Sequence, residues 1–252
     1  MATKLTQTKG LITREIKYGD SSRIITIITE DIGKVSAIAG KVGSGKSKTS
    51  PSLQLFSYSN FVLFHGSEKG LYHINESDII EPFKNLREDF FSIVYASYFC
   101  DAANNIIPEN APNINLLRLI LNCLAALSLK NPPYEKIKTV FEWRAAAEEG
   151  FSPSLFPCAA CQNNSPAYLD LLKGVALCEN CGSENEFCVK INTSLANAIS
   201  YICSCDLKKI LAFELDEKSI EYLSAISEIY LSLHLDRKFK TLEYLKNIKK
   251  SI

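Results

Sequence analysis

Four of the nine cysteines in this 252-residue chain are spaced for metal chemistry. Cys158-Ala-Ala-Cys161 and Cys178-Glu-Asn-Cys181 are two C-x2-C pairs separated by sixteen residues, a spacing that zinc ribbons and knuckles use. A two-residue gap lets both thiolates of a pair face one ion at a Zn–S distance of ~2.3 Å, and two pairs close a tetrahedron. A closed tetrahedron has no open position, so its role is structural. The segment between the pairs is polar at its start and too short for a core of its own, so a metal would staple it. One structural Zn2+ held by Cys158, Cys161, Cys178 and Cys181 is the expectation. The competing reading is four free thiols or two redox-active pairs, but neither pair sits at the mouth of a βαβ unit, where thioredoxin-type chemistry belongs. Cys100, Cys123, Cys188, Cys203 and Cys205 read as small apolar residues of the core, with Cys188 near enough to be an accidental fifth ligand.

A second chemical motif spans Gly40 to Ser47. GKVGSGKS fits G-x4-G-K-[ST] letter for letter, the loop whose backbone N–H groups cradle phosphates while its Lys and Ser/Thr reach the β/γ-phosphates and Mg2+. That motif requires a helix beginning at its Gly-Lys. Here Lys48-Thr49-Ser50-Pro51 follows, with proline where the early helix should run. The preceding strand lies in a β-rich run, and Asp101, a possible metal-holding acid, ends a helical pattern instead of an apolar strand. The stretch therefore reads as a basic loop between barrel strands, with Lys41, Lys46 and Lys48 free to meet phosphates. A small nucleotidase using Gly40–Ser47 remains the enzymatic alternative. Three scattered histidines, His65, His73 and His234, leave little material for histidine catalysis.

The elements that must carry these residues follow from periodicity. Hydrophobic residues make up 46% and charged residues 22%, near globular averages, so disorder is not the dominant state. No window approaches ~18 uninterrupted apolar residues, which excludes a membrane-spanning helix. The first twenty residues lack an apolar h-region, which excludes a signal peptide. A cytosolic location follows, where thiols stay reduced or bind metal. Gly10–Tyr18, Arg23–Thr29, Lys34–Ala39, Ser52–Phe64 and Gly66–Ile80 read as five strands separated by turn residues. Five strands in about 80 residues match an oligonucleotide-binding (OB) barrel, and an SH3-like barrel gives a similar pattern. From Pro82 the period becomes helical, through Phe83, Leu86, Phe90, Ile93, Val94 and Ser97. Further helices are expected over Leu116–Leu127, Pro133–Gly150, Asn192–Ile202 and Lys218–His234, with a short last one carrying Lys246, Lys249 and Lys250. The fold class is α+β. A barrel domain over residues 1–80 precedes a helical domain over 81–252 with a cysteine insert at about 155–190.

Charge is zero overall, with 28 Lys+Arg against 28 Asp+Glu, but it is unevenly spread. Residues 1–50 carry nine basic and four acidic side chains, residues 236–252 six and two, and the 185 residues between 13 and 22. The balances are +5, +4 and −9. Two basic ends flanking an acidic middle point to a nucleic-acid partner, against the plainer reading of solvated lysines.

The chain resembles the RecO family of bacterial recombination-repair proteins. The resemblance rests on an ordered set: Gly10-Leu-Ile, Tyr18 to Ile24, Thr29 to Ala37, the basic loop, and Leu53-Gln-Leu-Phe56. Phe141-Glu-Trp-Arg144, Gly150-Phe-Ser-Pro153 and the four cysteines complete it. It implies an N-terminal OB fold, a helical C-terminal domain and a zinc site. It also implies binding of single- and double-stranded DNA and annealing of complementary strands. The implied protein partners are RecR, the C-terminal tail of single-stranded DNA-binding protein and, through them, RecA or RecF. The implied place of action is the nucleoid in the bacterial cytosol. Two features depart from the family: the basic connection is Lys/Ser/Gly-rich where the family has more Arg, and Lys138-Thr-Val precedes Phe141-Glu142 in place of an Arg pair. The acidic-tail site is therefore assigned to no residue.

Together these readings describe a non-enzymatic DNA-binding mediator, with a zinc-stabilised protein-only adaptor as the other alternative. Arg14, Lys17, Arg23, Lys34, Lys41, Lys46 and Lys48 are expected to meet phosphates on one face of the barrel. Tyr18, Phe56 and Tyr58 are candidate stacking platforms for bases, with barrel packing as the plainer role for Phe56.

Overall fold

The structure is a computed structural model that describes residues 5–18, 22–39, 51–65, 71–129, 133–182 and 187–250. Five strands, β1 (Leu5–Tyr18), β2 (Ser22–Thr29), β3 (Lys34–Ala39), β4 (Tyr58–His65) and β5 (Tyr72–Glu81), form a closed barrel in the order β1-β2-β3-β5-β4. All neighbours are antiparallel except β3 and β5. This is the OB-like barrel that strand spacing and family resemblance implied. Alternate residues point inward, so Ile25 and Ile27 of β2, Val35, Ala37 and Ala39 of β3, and Phe61 and Leu63 of β4 fill the barrel with Ile12, Leu53 and Ile74. Each such aliphatic or aromatic side chain contributes roughly 1.5–3 kcal/mol by leaving water. Gly10 of β1 allows the close approach: a Cβ there would lie 2.5 Å from Ile27 Cγ2.

One irregularity governs what β1 shows to the outside. Ile12 pairs with Ile27, but Arg14 pairs with Thr26, so Thr13 is an extra residue, a β-bulge. A helix holds it. The Thr13 hydroxyl donates to Asn104 Oδ1 at 2.8 Å, and Lys34 Nζ donates to the Asn104 carbonyl at 2.6 Å. Asn104 belongs to α1 (Phe90–Ile106), which thus clasps β1 and β3 together. α2 (Ile114–Ser128) packs beside α1. Helix α1 begins seven residues later than the periodicity from Phe83 suggests. Phe83 adopts φ +45°, residues Lys84–Glu88 make a 3-10 turn, and the Asp89 carboxylate accepts from the Ser92 N–H at 2.7 Å as the N-cap.

The remaining elements are α3 (Tyr134–Glu148), β6 (Tyr168–Asp170), β7 (Val175–Leu177), β8 (Cys188–Lys190), α4 (Thr193–Ser204), α5 (Glu217–Leu235) and α6 (Lys240–Lys250). By packing, the chain gathers into two compact units, Met1–Leu129 with Phe239–Ile252 in one and Lys130–Lys238 in the other. The α-helices described in the barrel's unit are therefore α1, α2 and α6, and α6 lies on α1.

In the second unit, α3 packs along α5. Trp143 is fully buried with its ring 4.7 Å from that of Tyr230. The same seam holds an ionic cluster. Lys138 Nζ donates to Glu142 Oε2 at 3.0 Å and to the Ser224 carbonyl at 3.0 Å, with Glu228 at 3.4 Å. Glu142 is fully buried and also accepts from the Ser227 hydroxyl at 2.6 Å. Lys138, the cation standing where the resemblance would place an arginine, is thus engaged within its own unit. Removing one member of a buried pair strands the other charge. Glu142→Gln is expected to cost the second unit roughly 3–5 kcal/mol in urea unfolding, while the double change Lys138→Met/Glu142→Leu costs less than Glu142→Gln alone.

Candidate metal centre and nucleic-acid interface

The four cysteines meet. Cys158, Cys161, Cys178 and Cys181 place their sulfurs within 4.8 Å of one another, and this is the one such metal-ligand cluster among the described residues. Cys161 and Cys178 sulfurs are 3.5 Å apart. A tetrahedron with ~2.3 Å bonds has edges of ~3.8 Å, so the donor set fits one thiophilic ion. Strand β7 delivers Cys178. The chain before Cys158 runs parallel to β7, with Ser154 N–H to Gly174 O at 2.7 Å and Ala159 N–H to Ala176 O at 3.0 Å. Each C-x2-C turn is closed by a backbone bond, Gln162 N–H to Cys158 O at 3.0 Å and Gly182 N–H to Cys178 O at 2.8 Å. Gly182 is required there: a Cβ would fall 2.2 Å from Tyr168 Cδ2 of β6.

Backbone N–H groups of Cys161 and Cys178 turned toward Cys158 pull its thiol down to about 6. Hydrogen bonds shared with the sulfurs of Cys161 and Cys178 hold Cys181 up at about 12. Four thiols so close cannot all ionise together without a cation among them. Cys188 lies on β8, opposite Asp170 of β6, and is not a member of the cluster. Cys100 and Cys123 are buried, as their apolar reading expected, and burial raises both thiols. Cys203 and Cys205 are only partly buried.

The basic residues singled out from sequence are distributed by the register of the barrel. Directly opposed residues in an antiparallel pair share a face. Past the bulge, Arg14, Ile16 and Tyr18 of β1 face outward with Ile24 and Thr26 of β2 and with Ser36 and Ile38 of β3. Lys17 and Arg23 oppose each other on the other face, past the core residue Ile25 and level with Ala39. Arg23 Nη1 is paired with Glu15 Oε1 at 2.9 Å. Arg14 and Lys17, three residues apart on β1, lie on opposite faces by strand alternation, and the bulge sets which of them is turned outward. Lys34 is half-buried and directed to Asn104. Lys41, Lys46 and Lys48 lie outside the described residues, as does the whole Gly40–Ser47 motif. Before that motif stands the barrel strand β3, and the first α-helix described after it begins at Phe90.

Of the three aromatics, Tyr18 is 51% exposed and Phe56 is 3% exposed, locked inside at φ +68°. The Tyr58 hydroxyl donates to Glu30 Oε1 at 2.6 Å, and burial together with that carboxylate raises its pKa. Sequence reading missed the aliphatic part of the outer strip. Ile16 is 46% exposed, and Ile24 and Ile38 are half-buried. The signal is RIITIIT itself, which is apolar on both faces and so puts isoleucines on the outer one as well.

The family profile described as Recombination protein O N terminal matches residues 1–83, and Recombination protein O C terminal matches 87–243. The chain is 33% identical over 244 residues to a DNA repair protein RecO of Acetivibrio thermocellus, covering 96% of each chain. It is 31% identical over 247 residues to a protein of that name from Alkaliphilus metalliredigens, covering 97% of this chain and 100% of the relative. A third, from Caldicellulosiruptor saccharolyticus, is 27% identical over 248 residues.

Proposed function

The chain belongs to the RecO family of DNA repair proteins, and from that premise we propose that it is a DNA-binding recombination mediator without catalytic chemistry. In this reading it binds single- and double-stranded DNA and anneals complementary strands. With RecR it helps load RecA onto DNA coated by single-stranded DNA-binding protein, whose acidic tail it recognises, in the bacterial cytosol. Among the described residues no helix is long and apolar enough to cross a membrane.

The observation that carries the reading is the strip turned outward by the Thr13 bulge. OB folds take oligonucleotides on the face of their second and third strands and on neighbouring loops. Here that face offers a cation (Arg14), an exposed aromatic ring (Tyr18) and aliphatic surface (Ile16, Ile24, Ile38). Arg14 would neutralise a phosphate, and Tyr18 would stack on a base without regard to sequence. Lys41, Lys46 and Lys48, in the sequence between β3 and β4, would add phosphate contacts, and Lys17 and Arg23 would add theirs from the other face. Annealing asks for two strands held with their charge screened, not for a nucleophile or a general acid.

The four-cysteine cluster takes a structural Zn2+ in this reading. The ion closes the two turns on β7 and contributes folding free energy to the small β6–β8 sheet, which has little core of its own.

Two outcomes are expected. Arg14→Ala/Tyr18→Ala lowers affinity for oligothymidine by roughly 5- to 150-fold, the equivalent of ~1–3 kcal/mol for one stacked base, and makes the log–log salt slope shallower by about 0.7. Unchanged binding would refute the strip as the interface. Elemental analysis of protein purified without chelator gives about one zinc per chain, lost in Cys158→Ser. Metal-free protein with a native fold would refute the zinc site.

A further inference from the structure

The C-terminal helix α6 carries four lysines and one glutamate in eleven residues, KTLEYLKNIKK. Its rotation is fixed by three contacts to α1. The Phe239 ring lies 5.8 Å from Tyr98, the Thr241 hydroxyl donates to Asp101 Oδ2 at 2.8 Å, and Lys249 Nζ sits 5.2 Å from the centre of the Tyr95 ring. Leu242 and Leu245 are buried beneath the helix. The opposite arc is left to solvent: Lys240, Glu243, Tyr244, Lys246, Asn247 and Lys250 are exposed, Tyr244 by 56%.

Helix stability explains only part of this arc: Glu243 stands three residues from both Lys240 and Lys246, a favourable spacing. The macrodipole favours cations in the last turn, which accounts for Lys249 and Lys250, but disfavours Lys240 in the first. Lys246 and Lys250, four residues apart, repel each other, a pairing that destabilises a helix by ~0.2–0.5 kcal/mol. Tyr244 exposes an aromatic ring one turn from Lys240. Cations interleaved with an open ring match a partner that is a polyanion carrying flat bases. The helix belongs to the same compact unit as the barrel, joined to it through α1, whose Asn104 clasps β1 and β3.

We propose that the outward arc of α6 is a second contact for the backbone of single-stranded DNA, engaged when a strand is long enough to continue past the barrel face. Lys240, Lys246 and Lys250 neutralise phosphates, and Tyr244 stacks on a base. The inference rests on the DNA-binding reading above and extends it to a part of the chain far in sequence from the barrel.

The test compares the full-length protein with the variant Lys240→Gln/Lys246→Gln/Lys250→Gln. Binding is measured on oligothymidine of about 8 nucleotides, within the site size of one OB fold, and of about 30. The substituted residues are exposed, and an unchanged melting temperature checks the fold. The expected result is unchanged affinity for the short strand and weaker binding of the long one, with a salt slope shallower by about 2 for three lost phosphate contacts. Wild-type affinity and slope on the long strand would overturn the inference, as would equal loss on both lengths, which would merge α6 with the primary site. If Arg14→Ala/Tyr18→Ala weakens short-strand binding while the α6 variant changes nothing, this inference fails and the DNA-binding reading stands. If the wild-type protein binds neither strand at low salt, that reading itself fails.

Discussion

The hydroxyl of Thr13 and the amide of Asn104 hold a bulge in β1 on which the chemistry of the barrel surface depends. Side chains in a strand alternate with period two, so one inserted residue exchanges the faces of everything beyond it. Before the bulge, Ile12 points into the core. An unbroken strand would send Arg14 inward after it, with Ile16 and Tyr18, and put Glu15 and Lys17 outside. With Thr13 set aside, Arg14, Ile16 and Tyr18 line up with the outward residues of β2 and β3. The same Asn104 receives Lys34 on its carbonyl, so α1 both covers one end of this face and fixes which side chains appear at the open end. A basic and aromatic strip on a closed barrel has no edge to fray, and rigid placement is what sequence-tolerant stacking requires.

The second unit is organised by a different constraint, the need to satisfy groups that burial would otherwise leave costly. Its helix seam buries Lys138 and Glu142 together with serine partners from α5. The small sheet of β6, β7 and β8 has three-residue strands and gathers four thiols at the end of β7. Short strands bury little apolar surface, and the four thiols beside them form a donor set that could hold a metal ion. The division of labour is physical: one unit presents a shaped surface, and the other is held by internal polar bonds.

Much of this was legible in the chain. Strand and helix existence followed from the change of period at Pro82, and the cysteine spacing specified the cluster to the residue. The features that escaped are long-range or depend on register. Nothing in GLITREIKY marks Thr13 as supernumerary, because both registers alternate acceptably until the partner strand is known. The start of α1 is not marked by period, since Phe83 and Leu86 continue the helical spacing through a 3-10 turn that precedes the Asp89 cap. The return of α6 to the barrel's unit is sealed by a bond between Thr241 and Asp101, 140 residues apart, and local pattern carries no such information. Phe56 is buried, which fits packing as its plainer role, and only its left-handed backbone has no signal in its residue type.

The assignment of the outward strip is tested most directly by following isoleucine methyl resonances while oligothymidine is added. Ile16, Ile24 and Ile38 face out beside Tyr18, whereas Ile25, Ile27 and Ile74 line the core. Saturable shifts are expected in the first group and little change in the second. Shifts that spare Ile16, Ile24 and Ile38 while DNA binds would contradict the assignment.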